Sequence, residues 1–292
     1  MTQGIIIRSL SGFYTVASGD EIVMCKARGR FRHDGTTPLV GDRVSVAMDD
    51  KGNARVDQIQ PRRNRFIRPA VANIDQMVMF ASAVKPVTDP FLIDRVCAIA
   101  ELNQCEPVLC INKCDLNSAD DLMRIYEHAG FTVVRVSAET GEGLEQLRAV
   151  ISGKVNAFTG NSGVGKSSVL NRLCPELDLP TGAVSDKLGR GRHTTRTVEL
   201  FKKHGGYIAD TPGFSTVDIE RFELIRKDEL KFAFPEFEEY FGTCQFNSCN
   251  HVCEKGCKVL QAVAQGVIPQ SRHDSYVRMY NEVKDIKEWQ IN

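Results

Sequence analysis

Gly160, Asn161, Ser162, Gly163, Val164, Gly165, Lys166 and Ser167, followed by Ser168, match the spacing G-x-x-x-x-G-K-[ST] without deviation. A turn of this composition lets backbone N–H groups curl around phosphate oxygens. The lysine reaches β- and γ-phosphates, and the Ser167 hydroxyl ligates Mg²⁺. An apolar strand precedes the turn and a helix follows, so the positive end of the helix adds to the attraction for anions. A purely structural strand-to-helix turn has no need of the Lys-Ser pair.

Three further short elements bear on which nucleotide is bound. Asn112-Lys113-Cys114-Asp115 ends an apolar run. In N-K-x-D the carboxylate of Asp115 accepts from the ring N1–H and exocyclic amine of guanine, a pair that adenine lacks. The Asn112 amide is expected on the acceptor edge of the base, and the Lys113 stem over its ring. Ser137-Ala138-Glu139 also follows a strand and matches the S-A-x element that supports guanine O6 from a backbone N–H. Each site lies at the carboxyl end of a strand, where ligands bind in open α/β sheets. Downstream, Asp210-Thr211-Pro212-Gly213 matches D-x-x-G, with Asp210 holding Mg²⁺ through water and the Gly213 N–H sensing the γ-phosphate. Between them, "SDKLGRGRHTTRTVEL" at 185–200 suits a switch whose Thr194 or Thr195 closes on Mg²⁺; the spacing does not choose between the two. The usual order of such elements is phosphate loop, switch threonine, D-x-x-G, N-K-x-D, S-A-x; here the last two come first. Domain termini often lie close together, which makes such a circular permutation tolerable.

Near the C-terminus Cys244, Cys249, His251 and Cys257 give C-x4-C-x-H-x5-C, four soft ligands suited to a closed, structural Zn²⁺ site. Cys253 inside the same loop is a fifth potential ligand. No catalytic acid accompanies the cluster, which argues against a hydrolytic metal.

Three segments must position these groups. Residues 1–70 contain five short alternating runs, "GIIIRSL", "GFYTVAS", "EIVMCKAR", "DRVSVAM" and "ARVDQIQ", which predict a small barrel of OB type, with an SH3-like barrel as the alternative. Residues 71–220 alternate strand and helix, predicting an α/β unit with a largely parallel sheet. Its helices include one capped by Asp89 before Pro90 and one capped by Ser118 and ended by Gly130. Residues 221–292 carry the cysteines and a final amphipathic stretch with Tyr276, Tyr280, Val283 and Ile286 on one face.

The 37 basic and 37 acidic residues balance overall, but the first seventy residues hold twelve basic against seven acidic. That local excess, with Arg28, Arg30, Arg32, Arg62, Arg63, Arg65 and Arg68, suits either a polyanion-facing surface or an ordinary charged linker. The N-terminal run shows no signal-peptide pattern and no apolar stretch approaches membrane-spanning length, so a cytoplasmic protein is expected, with metal rather than disulfides at the clustered cysteines.

The rotated order, the "GRGRHTT" switch and the cysteine cluster together resemble the circularly permuted small-ribosomal-subunit GTPase family, RsgA, over essentially the whole chain. The resemblance implies an α/β, circularly permuted P-loop GTPase domain flanked by an N-terminal OB-like β-barrel and a C-terminal helical zinc-binding domain. It implies a monomer, away from membranes, that binds GTP with Mg²⁺, the 30S subunit and 16S ribosomal RNA late in subunit assembly, with weak activity stimulated by the subunit. It also implies zinc on the Cys244, Cys249, His251, Cys257 set, with Cys253 a spectator. Phe214 stands where Ras-like enzymes carry a water-positioning glutamine. His193 takes that catalytic role by resemblance, against a reading in which it contacts the ribosome. Two other readings are an RNA-binding GTPase acting on a non-ribosomal RNA and a nonhydrolysing scaffold; intact Lys166, Ser167 and Asp210 oppose the latter.

Overall fold

A computed structural model describes residues 2–29, 31, 36–49, 52–67, 69–179, 198–210 and 225–286. His193, Thr194, Thr195, Gly213 and Phe214 lie outside these, as do Arg30, Arg32 and Arg68, and of Asp210 only the backbone is described.

The five alternating runs form β1 (Thr2–Leu10), β2 (Phe13–Ser18), β3 (Glu21–Ala27), β4 (Arg43–Met48) and β5 (Ala54–Ile59). Their pairing order is β1-β2-β3-β5-β4, and β4 returns to pair with β1. Only the β3–β5 pairing is parallel. This closed five-stranded arrangement is the OB-type barrel. Ile6, Val16, Cys25, Val44 and Val56 fill its interior, as period-two alternation requires.

Two short strands, β6 (Arg65–Phe66) and β7 (Val71–Ala72), lead from the barrel into β8 (Gln76–Ser82). There follow α1 (Pro90–Leu102), β9 (Glu106–Asn112), α2 (Asp120–His128), β10 (Thr132–Arg135), α3 (Leu144–Ile151), β11 (Val155–Gly160) and α4 (Lys166–Leu173). Further along the chain come β12 (Glu199–Lys203) and β13 (Gly206–Asp210). The order is β10-β9-β8-β11-β13-β12, parallel except for β12. Every residue of β8 and β11 is buried, as expected for parallel strands covered on both faces. Met77, Met79 and Ala81 pack toward α1, whereas Val78 and Phe80 pack with Leu147, Ile151, Val169 and Leu170 of α3 and α4.

At the far edge, β12 meets β1 of the barrel antiparallel, in register at Arg8 and Glu199, so barrel and sheet form one eleven-stranded sheet. Lys202 donates to Asp20 Oδ1 (2.9 Å) and to Gly19 O (3.0 Å) beside this seam.

Two helix boundaries differ from expectation. Asp89 does cap α1, its Oδ1 accepting from Phe91 N at 3.0 Å. The cap of α2, however, is Ala119 in a left-handed conformation, because Asn117 Oδ1 takes the Ala119 N–H and Ser118 donates instead to Asp120. The C-terminal region consists of turns of 3₁₀ helix at Leu230–Ala233 and Pro235–Tyr240, then α5 (Lys258–Ala264) and α6 (Gln270–Val283). α6 begins earlier than the Tyr276 stripe suggests and ends before Ile286; its buried face is Arg272, His273, Ser275, Tyr276 and Met279. Among the described residues no helix is long and apolar enough to cross a membrane.

The arginines after the barrel divide. Arg62 donates Nε and Nη2 to the two oxygens of fully buried Asp42, both at 2.7 Å, and Nη2 also to Thr37 O. Arg63 donates to Ile74 O and Asp75 Oδ1, each at 2.7 Å. These two guanidinium groups fasten barrel to sheet, while Arg65 stays exposed. Replacing Arg62 by Ala leaves the Asp42 carboxylate buried without its cation and is expected to cost about 3 kcal/mol. A urea unfolding midpoint that does not move would contradict this role.

Candidate nucleotide and metal sites

The 160–168 turn runs from the carboxyl end of β11 into α4. Gly165 has φ +89°, and a Cβ there would lie 2.2 Å from Asn112 Nδ2. Gly160, at φ +146°, would meet Phe80 O at 2.7 Å. Both glycines are therefore required by close approach as well as by backbone conformation. Val164 is fully buried with Phe158, Val169 and Leu170 and anchors the turn, while Ser162 and Gly163 face solvent. Lys166, Ser167 and Ser168 begin α4, whose N-terminus carries no side-chain cap. Uncapped N–H groups at a helix start are the donors a phosphate requires.

Asn112 and Ser137 are brought to this turn from neighbouring strand ends. The buried Asn112 side chain donates Nδ2–H to Val164 O (2.8 Å), and its Oδ1 accepts from Ala138 N (3.1 Å). Besides the base contact expected from the sequence, this amide braces three loops against one another. Lys113, at φ +66°, turns its Nζ to Lys85 O (2.7 Å), a carbonyl in the segment after β8. Cys114 N donates to Val136 O (3.1 Å), and Asp115 lies exposed at the rim. Ser137 is fully buried; its N–H donates to Glu142 O (3.0 Å), and its Oγ accepts from Thr140 N (3.1 Å). Arg172 of α4 donates to Glu139 O at 2.8 Å and closes the ring of loops. The β8–α1 segment, with Lys85 beside Lys113 and Pro86 Cγ 3.1 Å from where a Gly163 Cβ would stand, is a wall that no sequence motif announces.

Cys244, Cys249, His251 and Cys257 place their ligand atoms within 4.8 Å of one another. The separations are 3.9 Å for Cys244 Sγ to Cys257 Sγ, 3.7 Å for Cys244 Sγ to His251 Nδ1 and 3.4 Å for His251 Nδ1 to Cys257 Sγ. A tetrahedral Zn²⁺ with Zn–S near 2.3 Å and Zn–N near 2.0 Å requires edges of about 3.5–3.8 Å. The donor set thus fits zinc. Burial pushes the Cys249 thiol up to about 12 and also raises Cys257, so thiolates here need a cation to compensate them. Burial, with Lys231 nearby, lowers His251, which favours the neutral imidazole a metal takes. Cys253 is exposed and outside the cluster.

The loop around the cluster has its own scaffold. Glu254 accepts from the N–H groups of Asn250 (2.7 Å), Val252 (2.8 Å) and Cys253 (3.0 Å). Burial opposes its ionisation, but these donors hold its carboxyl below the usual range. His273 and Tyr276 of α6 bond His251 O (2.8 Å) and Asn250 O (2.5 Å) and seat the loop on the helix. Neither Glu254 nor these bonds had a sequence signal.

Replacing Asn112 by Ala leaves Val164 O and Ala138 N without their partner and is expected to weaken nucleotide binding roughly 100-fold, at two lost buried bonds. Fluorescent-nucleotide titration measures this, and unchanged affinity would show the brace to be dispensable. Cys249→Ser is expected to reduce bound zinc well below one per chain by atomic absorption; full retention would remove Cys249 from the ligand set.

The RsgA GTPase family matches residues 59–220, and the RsgA N-terminal domain family matches residues 3–56. The small ribosomal subunit biogenesis GTPase RsgA of Caldanaerobacter subterraneus subsp. tengcongensis is 44% identical, over 97% of this chain and 96% of its own. The protein of that name from Bacillus subtilis is 40% identical over 98% and 99%. The crystal structure of YloQ, a circularly permuted GTPase, superposes with a TM-score of 0.80 at 36% identity, covering 98% of this chain and 96% of that one. YjeQ from Thermotoga maritima gives 0.81 at 36% identity, covering 98% and 99%. With its phosphate loop, its rotated motif order and near full-length similarity to these proteins, the chain belongs to the RsgA GTPase family.

Proposed function

We propose that this GTPase acts in the late maturation of the small ribosomal subunit. In this reading it binds the 30S particle and its 16S RNA and hydrolyses GTP to GDP and phosphate with stimulation by the particle. The observation that carries the proposal is the collinear similarity, through barrel, GTPase domain and cysteine cluster alike, to proteins named for that process. The three parts correspond to 1–70, 71–220 and 221–292. The OB-type barrel, a fold that takes oligonucleotides on its outer surface, is the part assigned to RNA.

Lys166 and the backbone of 160–165 hold the β- and γ-phosphates. Ser167, with Asp210 through water and Thr194 or Thr195, serves Mg²⁺. Asp115 reads guanine N1–H and the exocyclic amine, Ala138 N–H supports O6, and the Gly213 N–H senses the γ-phosphate. Asn112 supports all of these from behind, through its bonds to Val164 and Ala138. Zn²⁺ is the metal of the Cys3His cluster, where it is structural. The protein works as a cytoplasmic monomer.

Phe214 cannot orient water, so His193 is assigned the water-positioning role in the stimulated reaction. GTP turnover measured with and without purified small subunits is expected to rise in their presence. His193→Ala is expected to abolish that rise while leaving GTP affinity unchanged. Equal turnover with and without subunits would favour a non-ribosomal RNA target. Full stimulation of the His193 variant would make His193 a ribosome contact at most.

A further inference from the structure

We propose that Arg272 is a positioning residue for the nucleotide pocket: it locks the C-terminal region onto α1, and α1 carries the segment that walls the pocket. The C-terminal region would then set how tightly nucleotide is held. The inference rests on the nucleotide-binding reading of the pocket and is independent of the ribosomal one.

Arg272 is 1% exposed. From α6 it donates Nη1–H to Asp94 Oδ1 of α1 (2.7 Å), and Nε and Nη2 to Glu236 (2.7 and 3.1 Å). Its guanidinium lies over the rings of Phe234 (4.6 Å), Phe131 (5.1 Å) and Tyr126 (5.7 Å). Glu236 and Phe234 belong to the C-terminal region, whereas Asp94, Tyr126 and Phe131 belong to the sheet domain. A buried guanidinium is tolerated only with its carboxylates in place. The junction therefore has one well-defined docked geometry rather than a range of slightly shifted ones.

The place on α1 that Arg272 grips is close to the pocket. Asp94 lies five residues from the cap Asp89, or about 7.5 Å at 1.5 Å per residue. The Tyr126 hydroxyl donates to Asp94 Oδ1 (2.7 Å) and contacts Pro90 O (3.1 Å), tying the gripped position to the first residue of the helix. At the periphery Arg278 lies 3.6 Å from the centre of the Phe91 ring, and Arg95 pairs with Glu282. All these contacts fall on the N-terminal half of α1.

From there the connection to the pocket is short and rigid. Ser82 and Thr88, both buried, close the β8–α1 segment on itself. Thr88 N donates to Ser82 O (2.9 Å), and Ser82 N donates to Thr88 Oγ1 (3.0 Å). Ser82 Oγ also bonds Val84 O at 2.8 Å. Within this loop Lys85 O receives Lys113 Nζ of the N-K-x-D element, and Pro86 abuts Gly163 of the phosphate loop. A displacement of α1 thus moves a wall shared by the base-reading and phosphate-binding elements. By linkage, bound nucleotide strengthens the docking of the C-terminal region to the same extent.

The test measures the dissociation rate of a fluorescent GDP from the full-length protein, without ribosomal particles, at a temperature where each variant is folded. Arg272→Met removes the grip. Asp94→Asn is isosteric and weakens the link to α1 while leaving the Glu236 pair. Thr88→Ala loosens the loop without touching the C-terminal region. Each is expected to speed GDP release by about tenfold, within the usual range for coupled sites, with zinc content unchanged. A merely structural Arg272 predicts a lower melting temperature with release within twofold of wild type, and that result overturns the proposal. Should Arg272→Met fail to fold, Asp94→Asn decides by the same criterion. A wild-type protein that bound no GDP would instead refute the nucleotide reading, and absent subunit stimulation would bear only on the ribosomal one.

Discussion

One buried side-chain amide holds the nucleotide pocket together. Asn112 sits at the end of β9, yet it bonds a carbonyl 52 residues downstream and an N–H 26 residues downstream. Because the 160–168, 112–115 and 137–139 loops are joined through this amide, their relative positions do not depend on which of them comes first along the chain. That is the physical reason the rotated order is harmless: the parallel strands bring the loops to one edge of the sheet, and a side-chain bond, not a peptide connection, fixes them there. Gly165 completes the constraint, since any Cβ at that position would occupy the space of the Asn112 amide nitrogen.

The motif residues of the candidate sites were legible in the sequence; most of the groups that hold them in place were not. Gly160 to Ser168, Asn112 to Asp115 and the Cys3His set are recognisable because their chemistry demands particular residue types at short fixed spacing. Arg272 had no such signal. A lone arginine on a polar-looking helix reads as solvated surface, and its partners Asp94 and Glu236 lie 178 and 36 residues away. For Arg62 and Arg63 the sequence left a polyanion surface and a charged linker as alternatives, and the fold pairs them with Asp42 and Asp75. Ser118 was a reasonable cap until Asn117 competed for the same turn.

One helix joins the cysteine cluster to the GTPase core through its own side chains. One face of α6 carries His273 and Tyr276, which bond the backbone at His251 and Asn250, and also Arg272, which reaches α1. Ordering of the metal loop and docking onto the sheet domain are therefore properties of the same short stretch. The aromatic side chains between them fill the space without adding further charge: Phe234 and Phe237 stack at 5.2 Å, and Tyr276 meets them edge-on at 5.2 and 5.0 Å.

The seam between barrel and sheet is one residue pair wide, at Arg8 and Glu199. β12 turns through β13 into Asp210, so the carboxyl end of β13 lies one hairpin away from that seam. A ladder this narrow leaves the orientation of the barrel to the Arg62 and Arg63 bonds and to the Lys202–Asp20 pair beside it. Load applied to the barrel would thus enter the sheet along the edge strand β12 and at the start of β8, while the loops at the carboxyl ends of β8 and β11 stay outside that path.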